Sequence, residues 1–233
     1  MFVKKVPVHL FVREFLYISR MKVLSFITTY DREQDLKRVV SHLNRNGLDP
    51  IIYDDGSTYK TDIPNYHRHE HRGKKGFIHT WEDMLKVCRN NDADLYLFMP
   101  DDFHDLDFER LYEYHEQFKL YPYACNIIND GRTKCWTNLS CLDMGDHYRL
   151  GFVDCGFFCN REALERIDFT LGKLPEGWHN KANRSSGVGM LLSTGFHSTR
   201  VKMYKPKKSL AFHGNHESKM HKKERINKPL ISL

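Results

Sequence analysis

The sequence has no long apolar run, no internal repeat and no low-complexity tract. A transmembrane helix needs about 20 consecutive apolar residues, and no segment of the chain approaches that length. The six cysteines form no Cys-x-x-Cys pair, so the sequence indicates neither a zinc site nor a disulfide framework. We therefore expect reduced, mostly structural thiols in a cytoplasmic protein that has no membrane partner.

The first 20 residues lack the features of a secretory signal. Arg13 and Glu14 interrupt their apolar part, and no small-residue cleavage site follows. We expect residues 1–20 to be an extension ahead of the folded domain, with an edge element packed on that domain as the alternative.

The composition is that of a globular protein with a basic balance. The chain has 233 residues, of which 40% are apolar and 28% charged, and its formal net charge is +6. This length suits one α/β domain with a sizeable core. A polyanionic partner is compatible with the charge but is not required by it.

The stretch from Leu95 to Phe103 is an apolar run that ends in two adjacent carboxylates, Asp101 and Asp102. It predicts a buried strand of a parallel sheet, which Pro100 should end because proline has no N–H to donate. We expect the carboxylates at the mouth of a cleft beyond the strand, where hard oxygen ligands suit Mg²⁺ or Mn²⁺. A solvated turn is the alternative.

A strand, a helix and a second strand precede that stretch. Residues 22–29 predict the first strand, apolar until it meets two threonines. Asp31 is a candidate N-cap with Gln34 completing a capping box, and Gly47 can end the helix in the left-handed conformation. Residues 50–53 predict the second strand, so the three elements form a right-handed βαβ unit.

Residues 58–72 predict a polar loop. The loop carries three alternate histidines, but its low apolar content disfavours a rigid metal site there; they are His67, His69 and His71. Residues 73–76, Gly-Lys-Lys-Gly, then open a helix, and glycines and lysines at a helix start can approach a phosphate closely. A flexible basic turn is the alternative.

The second half of the chain also alternates between strands and helices, as in an α/β fold. Asp107 is a candidate helix cap. The predicted elements are a strand at 123–128, a loop at 130–150, a strand–turn–strand at 151–158, a helix at 162–167, a mobile loop at 172–187, a helix at 188–193 and a strand at 201–204.

Together these segments resemble the GT-A fold of nucleotide-sugar glycosyltransferases, in particular the family 2-like group. The resemblance covers residues 22 to about 216 and rests on four segments, residues 27–32, 53–57, 73–85 and 98–102. It implies a single α/β domain with a Rossmann-related mixed sheet and helices on both faces. A nucleotide-binding half at about 21–104 and an acceptor half at about 105–216 would precede a basic tail at 217–233.

The resemblance also implies a metal-dependent enzyme that moves a hexosyl or pentosyl group from a nucleoside diphosphate sugar to an acceptor hydroxyl. By family likeness we expect the donor to be a UDP-sugar. Asp102 and His213 would hold Mn²⁺ or Mg²⁺, and Asp101 would face the sugar or its ribose. The other residues expected at the nucleotide sugar are Thr28, Thr29, Tyr30, Arg32, Asp54, Asp55, Arg72 and Lys75.

Two positions depart from the family pattern. Pro100 stands where many members carry the first acid of the metal motif. Residues 184–189, where inverting members commonly place a catalytic acid, contain none. Asp154 is the nearest substitute as catalytic base and Glu176 is the second. Because a retaining enzyme needs no base at residues 184–189, inverting and retaining stereochemistry both stay open.

The charge and the aromatic C-terminal half favour a phage-type enzyme that glycosylates hydroxymethylated pyrimidines of DNA in the host cytoplasm. Lysines would contact DNA phosphates, and aromatic rings would stack on an extruded base, although core packing is the favoured role of the two phenylalanines. The candidates are Lys207, Lys208, Lys222 and Lys223 for the phosphates, and Tyr148, Phe152, Phe157 and Trp178 for the base. A glycosyltransferase acting on a surface glycan or a protein and a non-enzymatic nucleotide-binding or nucleic-acid-binding module are the alternatives. The oligomeric state stays open.

Overall fold

The computed structural model describes residues 21–70, 73–129, 141–173 and 187–214, and at 73–76 the backbone alone. The strands are β1 (Val23–Thr29), β2 (Ile51–Asp54), β3 (Tyr66–Arg68), β4 (Leu95–Pro100), β5 (Phe103–His104), β6 (Tyr123–Asn126), β7 (Leu142–Asp143), β8 (His147–Leu150), β9 (Phe157–Asn160), β10 (Lys202–Pro206) and β11 (Phe212–His213). The helices are α1 (Glu33–Arg45), α2 (Gly73–Asn90), α3 (Phe108–Phe118), α4 (Arg161–Arg166) and α5 (Val188–Ser198). Across these ranges, no helix combines the length and the apolar character needed to cross a bilayer.

Nine of the strands form one mixed sheet in the order β3-β2-β1-β4-β9-β6-β10-β8-β7, and β5 pairs with β11 beside it. Strands β3, β2, β1 and β4 are parallel, which confirms the predicted βαβ unit. Strand β9 runs antiparallel to both β4 and β6, so the sheet is mixed, as the resemblance implied, and the expected parallel pairing of β4 holds on its β1 side. Because β1, β2 and β4 run in one direction, their carboxyl ends meet at the same edge of the sheet.

Apolar side chains cover both faces of the sheet, because successive residues of a strand point to opposite sides. On one face, the ring of Phe98 lies 5.2 Å from Phe26 and 5.0 Å from Trp81 of α2. Leu36 of α1 and Phe118 of α3 pack in the core of the other face. Helices therefore lie on both faces, as the sequence predicted.

The cysteines of the described residues are free thiols. Cys88, Cys125 and Cys159 are buried in the two apolar layers. Burial raises the pKa of all three thiols, which therefore stay protonated and pack as small apolar groups.

The helix starts and ends follow the sequence only in part. Gly47 follows α1 with φ +77°, as predicted, and the carboxylate of Asp107 caps α3 by accepting a bond from the N–H of Arg110. The prediction that Asp31 caps α1 was wrong, because Arg32 occupies the N-cap position. The Asp31 carboxylate instead accepts bonds from Thr58.

Several boundaries in polar segments were also wrong. Strand β3 lies within the predicted loop 58–72, and β7 and β8 lie within the predicted loop 130–150. Only β9 forms where a strand–turn–strand was expected at 151–158, and α5 continues to Ser198. Strands β3 and β7 hold the edges of the large sheet and consist largely of exposed residues, so they lack the apolar alternation by which strands are recognised.

A buried histidine on α3 generates a prediction about stability and pH. His115 Nδ1 lies 2.8 Å from the hydroxyl of Tyr123, and burial lowers the pKa of His115. As the pH falls through about 6.5, His115 therefore gains a proton in the unfolded chain before it does in the folded chain. Proton binding favours the unfolded chain, so the free energy of unfolding falls by at most about 1.4 kcal/mol per pH unit. In urea denaturation at about pH 7.5 to 5, we expect the free energy of unfolding of the wild type to fall more steeply than that of His115→Gln. Parallel slopes would contradict a neutral buried His115.

Candidate active site

The segments that follow β1, β2 and β4 are joined by backbone hydrogen bonds. The N–H of Asp101 donates to the carbonyl of Thr28 at 3.0 Å, and the N–H of Asp55 donates to the carbonyl of Thr29 at 3.1 Å. The three parallel strands thus bring together four of the residues expected at the nucleotide sugar.

Both carboxylates that follow β4 are buried, and one arginine contacts them both. Asp101 and Asp102 are 5% and 2% exposed, so the prediction that they lie at the mouth of a cleft was wrong about their burial. Arg32 Nη1 lies 2.5 Å from Asp102 Oδ2 and 3.4 Å from Asp101 Oδ1. Burying two adjacent carboxylates is costly without a counter-charge, and Arg32 supplies one.

Asp101 also receives a hydrogen bond from β1. Thr29 Oγ1 donates to Asp101 Oδ2 at 2.8 Å, and the hydroxyl of Tyr59 lies 3.1 Å from the same Thr29 oxygen. Burial, followed by the charge of Asp102, raises the pKa of Asp101 to about 7, against the opposing effects of Arg32 and Thr29. Asp101 is therefore held by protein groups on both of its oxygens.

Helix α1 extends this contact along the whole segment after β4. Asp35 Oδ1 lies 3.4 Å from His104 Nε2, and Arg38 pairs with Asp105. Arg32, Asp35 and Arg38 are spaced three residues apart, so they share one side of the helix. This side of α1 therefore contacts residues 101–105 along their length, with Arg32 at the buried end and Arg38 at the exposed end.

His213 comes to the same place from a distant part of the chain. Strand β11 pairs with β5 so that His213 lies opposite Phe103, and the N–H of Gly214 donates to the carbonyl of Asp102 at 2.8 Å. His213 Nε2 is then 3.6 Å from Asp102 Oδ2. An ion about 2.1 Å from each ligand can bridge two atoms at that separation, so these residues fit the expected metal.

Within the described part of the chain, no cluster of three or more His, Cys, Asp or Glu side chains is arranged to hold a metal ion. Asp102 and His213 would thus supply only two ligands, as is usual where Mg²⁺ also binds water and substrate phosphate. The rings of His67 and His69 stack on Tyr53, and His71 lies outside the described residues.

The acid that ends β2 and the acid that follows it differ from each other. Asp54 is fully buried and its carboxylate accepts bonds from Ser57 and Tyr66, whereas Asp55 is tied to β1 through its backbone. Tyr30, also expected at the nucleotide, is half-buried beyond β1.

The residues predicted for the acceptor half lie near β8, β9 and β10, away from the ends of β1 and β2. Asp154 is exposed before β9, and its N–H donates to Asn126 Oδ1 at 2.8 Å. Lys207 and Lys208 are exposed after β10, and Lys207 Nζ lies 2.8 Å from an oxygen of Asp143. Tyr148 and Phe152 are half-buried, and Phe157 packs in the core as favoured. Outside the described residues or side chains lie Arg72, Lys75, Glu176, Trp178, Lys222 and Lys223.

Three residues that support the site were not predicted from the sequence. Tyr59 contacts Thr29 across 30 positions, and Ser57 and Tyr66 bond the carboxylate of Asp54. The residues around Tyr59 and Tyr66 are largely polar, and the Tyr66 contact depends on the pairing of β3 with β2. No local sequence signal identifies the two tyrosines, whereas Ser57 lies in the segment 53–57 of the resemblance, three residues after Asp54.

No protein-family model matches the chain, and no curated protein sequence matches it. Solved structures do. Glucosyl-3-phosphoglycerate synthase from Mycobacterium tuberculosis, in complex with Mn²⁺, uridine-diphosphate-glucose and phosphoglyceric acid, has a TM-score of 0.56 and 14% identity, with 92% of this chain and 79% of that chain covered. GalNAc-T7 with UDP, GalNAc and Mn²⁺ has a TM-score of 0.54 and 13% identity over 80% of this chain. Residues 1–349 of S. aureus TarS have a TM-score of 0.51 and 13% identity over 84% of this chain.

These similarities confirm the predicted GT-A fold. The chain spans 42% of the GalNAc-T7 chain and 61% of the TarS chain, so it is much shorter than either. At 13% to 14% identity the likeness concerns the fold, and the roles of individual residues follow from their geometry and chemistry alone.

The central ion pair generates a prediction about stability. Arg32→Met removes the cation but keeps most of the aliphatic stem, leaving the two buried carboxylates without it. We expect the free energy of unfolding to fall by about 3–5 kcal/mol. The matched control is Arg38→Met, because Arg38 and Asp105 are both 55% exposed and an exposed pair contributes less than about 1 kcal/mol. Equal, small losses in urea denaturation would contradict the role given to Arg32.

Proposed function

We propose that the protein is a metal-dependent glycosyltransferase that transfers a sugar from a UDP-sugar to an acceptor hydroxyl. The observation that carries the proposal is the convergence of Asp102 and His213, whose side chains approach to 3.6 Å where β1, β2 and β4 end. The GT-A fold supports it, since two of the similar structures contain Mn²⁺ together with UDP or UDP-glucose.

The reaction requires stabilisation of the leaving group, because negative charge develops on the phosphate oxygens of UDP as the bond between UDP and the sugar breaks. A divalent cation held by Asp102 and His213 would supply the compensating charge. Arg32 and Thr29 keep Asp101 and Asp102 in place before the donor binds, so no reorganisation of these carboxylates is needed during the reaction.

The same arrangement disfavours a glycoside hydrolase. Such enzymes place two carboxyl groups on opposite sides of a sugar, about 5–10 Å apart. Asp101 and Asp102 are consecutive and share one nitrogen of Arg32, so they cannot flank a substrate. A non-enzymatic nucleotide-binding module would bind the nucleotide sugar but release no UDP. An assay of UDP release therefore distinguishes it from a glycosyltransferase.

For the acceptor, we assign the general base to Asp154, with Glu176 as the second candidate. Asp154 is exposed beside the end of β6, held there by the bond from its N–H to Asn126. An exposed carboxylate can reach the hydroxyl of an incoming acceptor, and proton abstraction by a positioned base contributes roughly 10²–10⁴-fold to a rate. In a retaining enzyme Asp154 would have no such role.

The metal pair generates a prediction about donor binding. Asp102→Asn keeps the shape of the side chain beside Arg32 but removes the charge that binds a cation. We expect Mn²⁺-dependent UDP affinity, measured by calorimetry, to fall at least about tenfold, and excess EDTA to abolish UDP release from a UDP-sugar. The matched control is Asp105→Asn, an exposed acid three residues away. Full turnover in EDTA, or equal losses in both variants, would contradict the metal role.

We propose hydroxymethylated pyrimidines of DNA as the acceptor, with a surface glycan or a protein as the alternative. The support is the net charge of +6 and the exposure of Lys207 and Lys208 at the end of β10, in the acceptor half. Lys207 also approaches the Tyr148 ring to 5.3 Å, which places a cation beside an aromatic face that a base can stack on. None of the three similar structures described above has DNA in its name.

This acceptor predicts how charge reversal changes transfer. The double variant Lys207→Glu and Lys208→Glu should lose transfer to hydroxymethylated DNA but keep slow hydrolysis of the donor, and wild-type DNA binding should weaken steeply with salt. The matched control is Lys37→Glu with Lys86→Glu, two exposed lysines of α1 and α2. A wild type that ignores this DNA but glycosylates a saccharide or a protein would replace DNA with that acceptor.

A further inference from the structure

Two turns face each other at the edge of the sheet, one after β1 and one after β2. A set of side chains that we term the turn brace joins them. The turn brace consists of Asp31, Asp54, Ser57, Thr58 and Tyr66.

Asp54 is the centre of the turn brace. The N–H of Ser57 lies 3.0 Å and 3.1 Å from the two oxygens of its carboxylate, and the hydroxyl of Ser57 donates to Oδ1. The hydroxyl of Tyr66 donates to Oδ2. Asp54 and Ser57 are fully buried, so these bonds are shielded from competition with water. The carboxylate of Asp54 thus fixes the turn that carries Asp55.

Ser57 also bonds the turn after β1. The N–H of Asp31 donates to Ser57 Oγ at 2.8 Å. In return, the N–H and hydroxyl of Thr58 donate to Asp31 Oδ1 at 2.6 Å and 2.9 Å. The turns after β1 and β2 are therefore held to each other in both directions.

The turn after β1 needs such support because its backbone adopts an unfavourable conformation. Asp31 has φ +50°, whereas the φ of +79° in the turn after β2 falls on Gly56, which adopts it readily. A positive φ costs a non-glycine residue about 1 kcal/mol or more, and it persists only where surrounding contacts enforce it. At Asp31 those contacts are the bonds to Ser57 and Thr58.

Strand β3 supplies the outermost part of this support. It pairs with β2 so that Tyr66 lies opposite Ile52, which brings the Tyr66 ring alongside the buried carboxylate. The guanidinium of Arg68 donates to the carbonyls of Ser57 and Tyr59, and the N–H of His69 donates to the carbonyl of Asp54 at 2.8 Å. Burial and the bond to Asp54 raise the pKa of Tyr66, so its hydroxyl remains a donor at neutral pH.

We propose that Tyr66, acting through Asp54 and Ser57, is a positioning residue that holds the turns after β1 and β2 in the conformation that binds the nucleotide of the donor. This inference rests on the proposed function, and it assigns a purpose to a short, polar edge strand. Asp54, expected from the sequence to contact the nucleotide, acts here as the anchor of the turn that presents Asp55.

The test compares two Tyr→Phe variants that each remove one hydroxyl. Tyr66→Phe takes a donor from Asp54. Tyr96→Phe is the matched control, because the Tyr96 hydroxyl also donates a hydrogen bond, to the carbonyl of Asn91 at 2.8 Å, but at the opposite end of the sheet. The readouts are the dissociation constants of UDP and ADP in the presence of Mn²⁺, measured by calorimetry, together with the unfolding midpoint of each variant.

We expect Tyr66→Phe to weaken UDP binding about tenfold and to narrow the preference for UDP over ADP. Tyr96→Phe should lower the unfolding midpoint but leave both the UDP affinity and the preference for UDP over ADP unchanged. Thr58→Val, which removes one bond at the exposed end of the turn brace, should weaken UDP binding about threefold, and it serves in place of Tyr66→Phe if that variant does not fold.

UDP affinity and preference equal to the wild type in Tyr66→Phe and in Thr58→Val would overturn the inference while leaving the proposed function intact. Equal losses of UDP affinity in Tyr66→Phe and Tyr96→Phe would also overturn it, because they would show a general effect of stability. A wild-type protein that binds no UDP would overturn the proposed function and this inference with it.

Discussion

The structure depends first on the contact between Arg32 and the buried pair Asp101 and Asp102. Charges that lie in a poorly solvated interior interact strongly and are costly to bury unless they are compensated. A single guanidinium nitrogen of Arg32 contacts one oxygen of Asp101 and one oxygen of Asp102. Because Arg32 stands at the start of α1 and the acids at the end of β4, this contact also fixes how the first helix sits against the centre of the sheet.

The rest of the site is built outward from that contact. Asp35 and Arg38, on the same side of α1 as Arg32, contact His104 and Asp105, so α1 follows the chain after β4 over five residues. This segment includes β5, which pairs with β11 and thereby brings His213 within 3.6 Å of Asp102. The position of His213, late in the chain, thus depends on a helix near the beginning of the described chain.

The sequence predicts those parts of this arrangement that are encoded locally. The apolar runs of β1, β2 and β4 and the periodicity of α1 identify the parallel half of the sheet, and acids at strand ends identify its functional edge. The burial of Asp101 and Asp102 could not be predicted, because it depends on Arg32, about 70 positions away. Strand β3 was missed since two of its three residues are exposed, and its stability comes from pairing with β2.

The two acid pairs of the site follow one structural rule. In each pair, the first acid is bonded by side chains that the second acid does not share. In the first pair, Ser57 and Tyr66 bond Asp54 from within the protein. In the second, Thr29 and Arg32 hold Asp101, while Asp102 is the acid that approaches His213. The first acid of each pair is therefore an anchor within the protein, and the proposed function assigns the binding of the donor or its metal to the second.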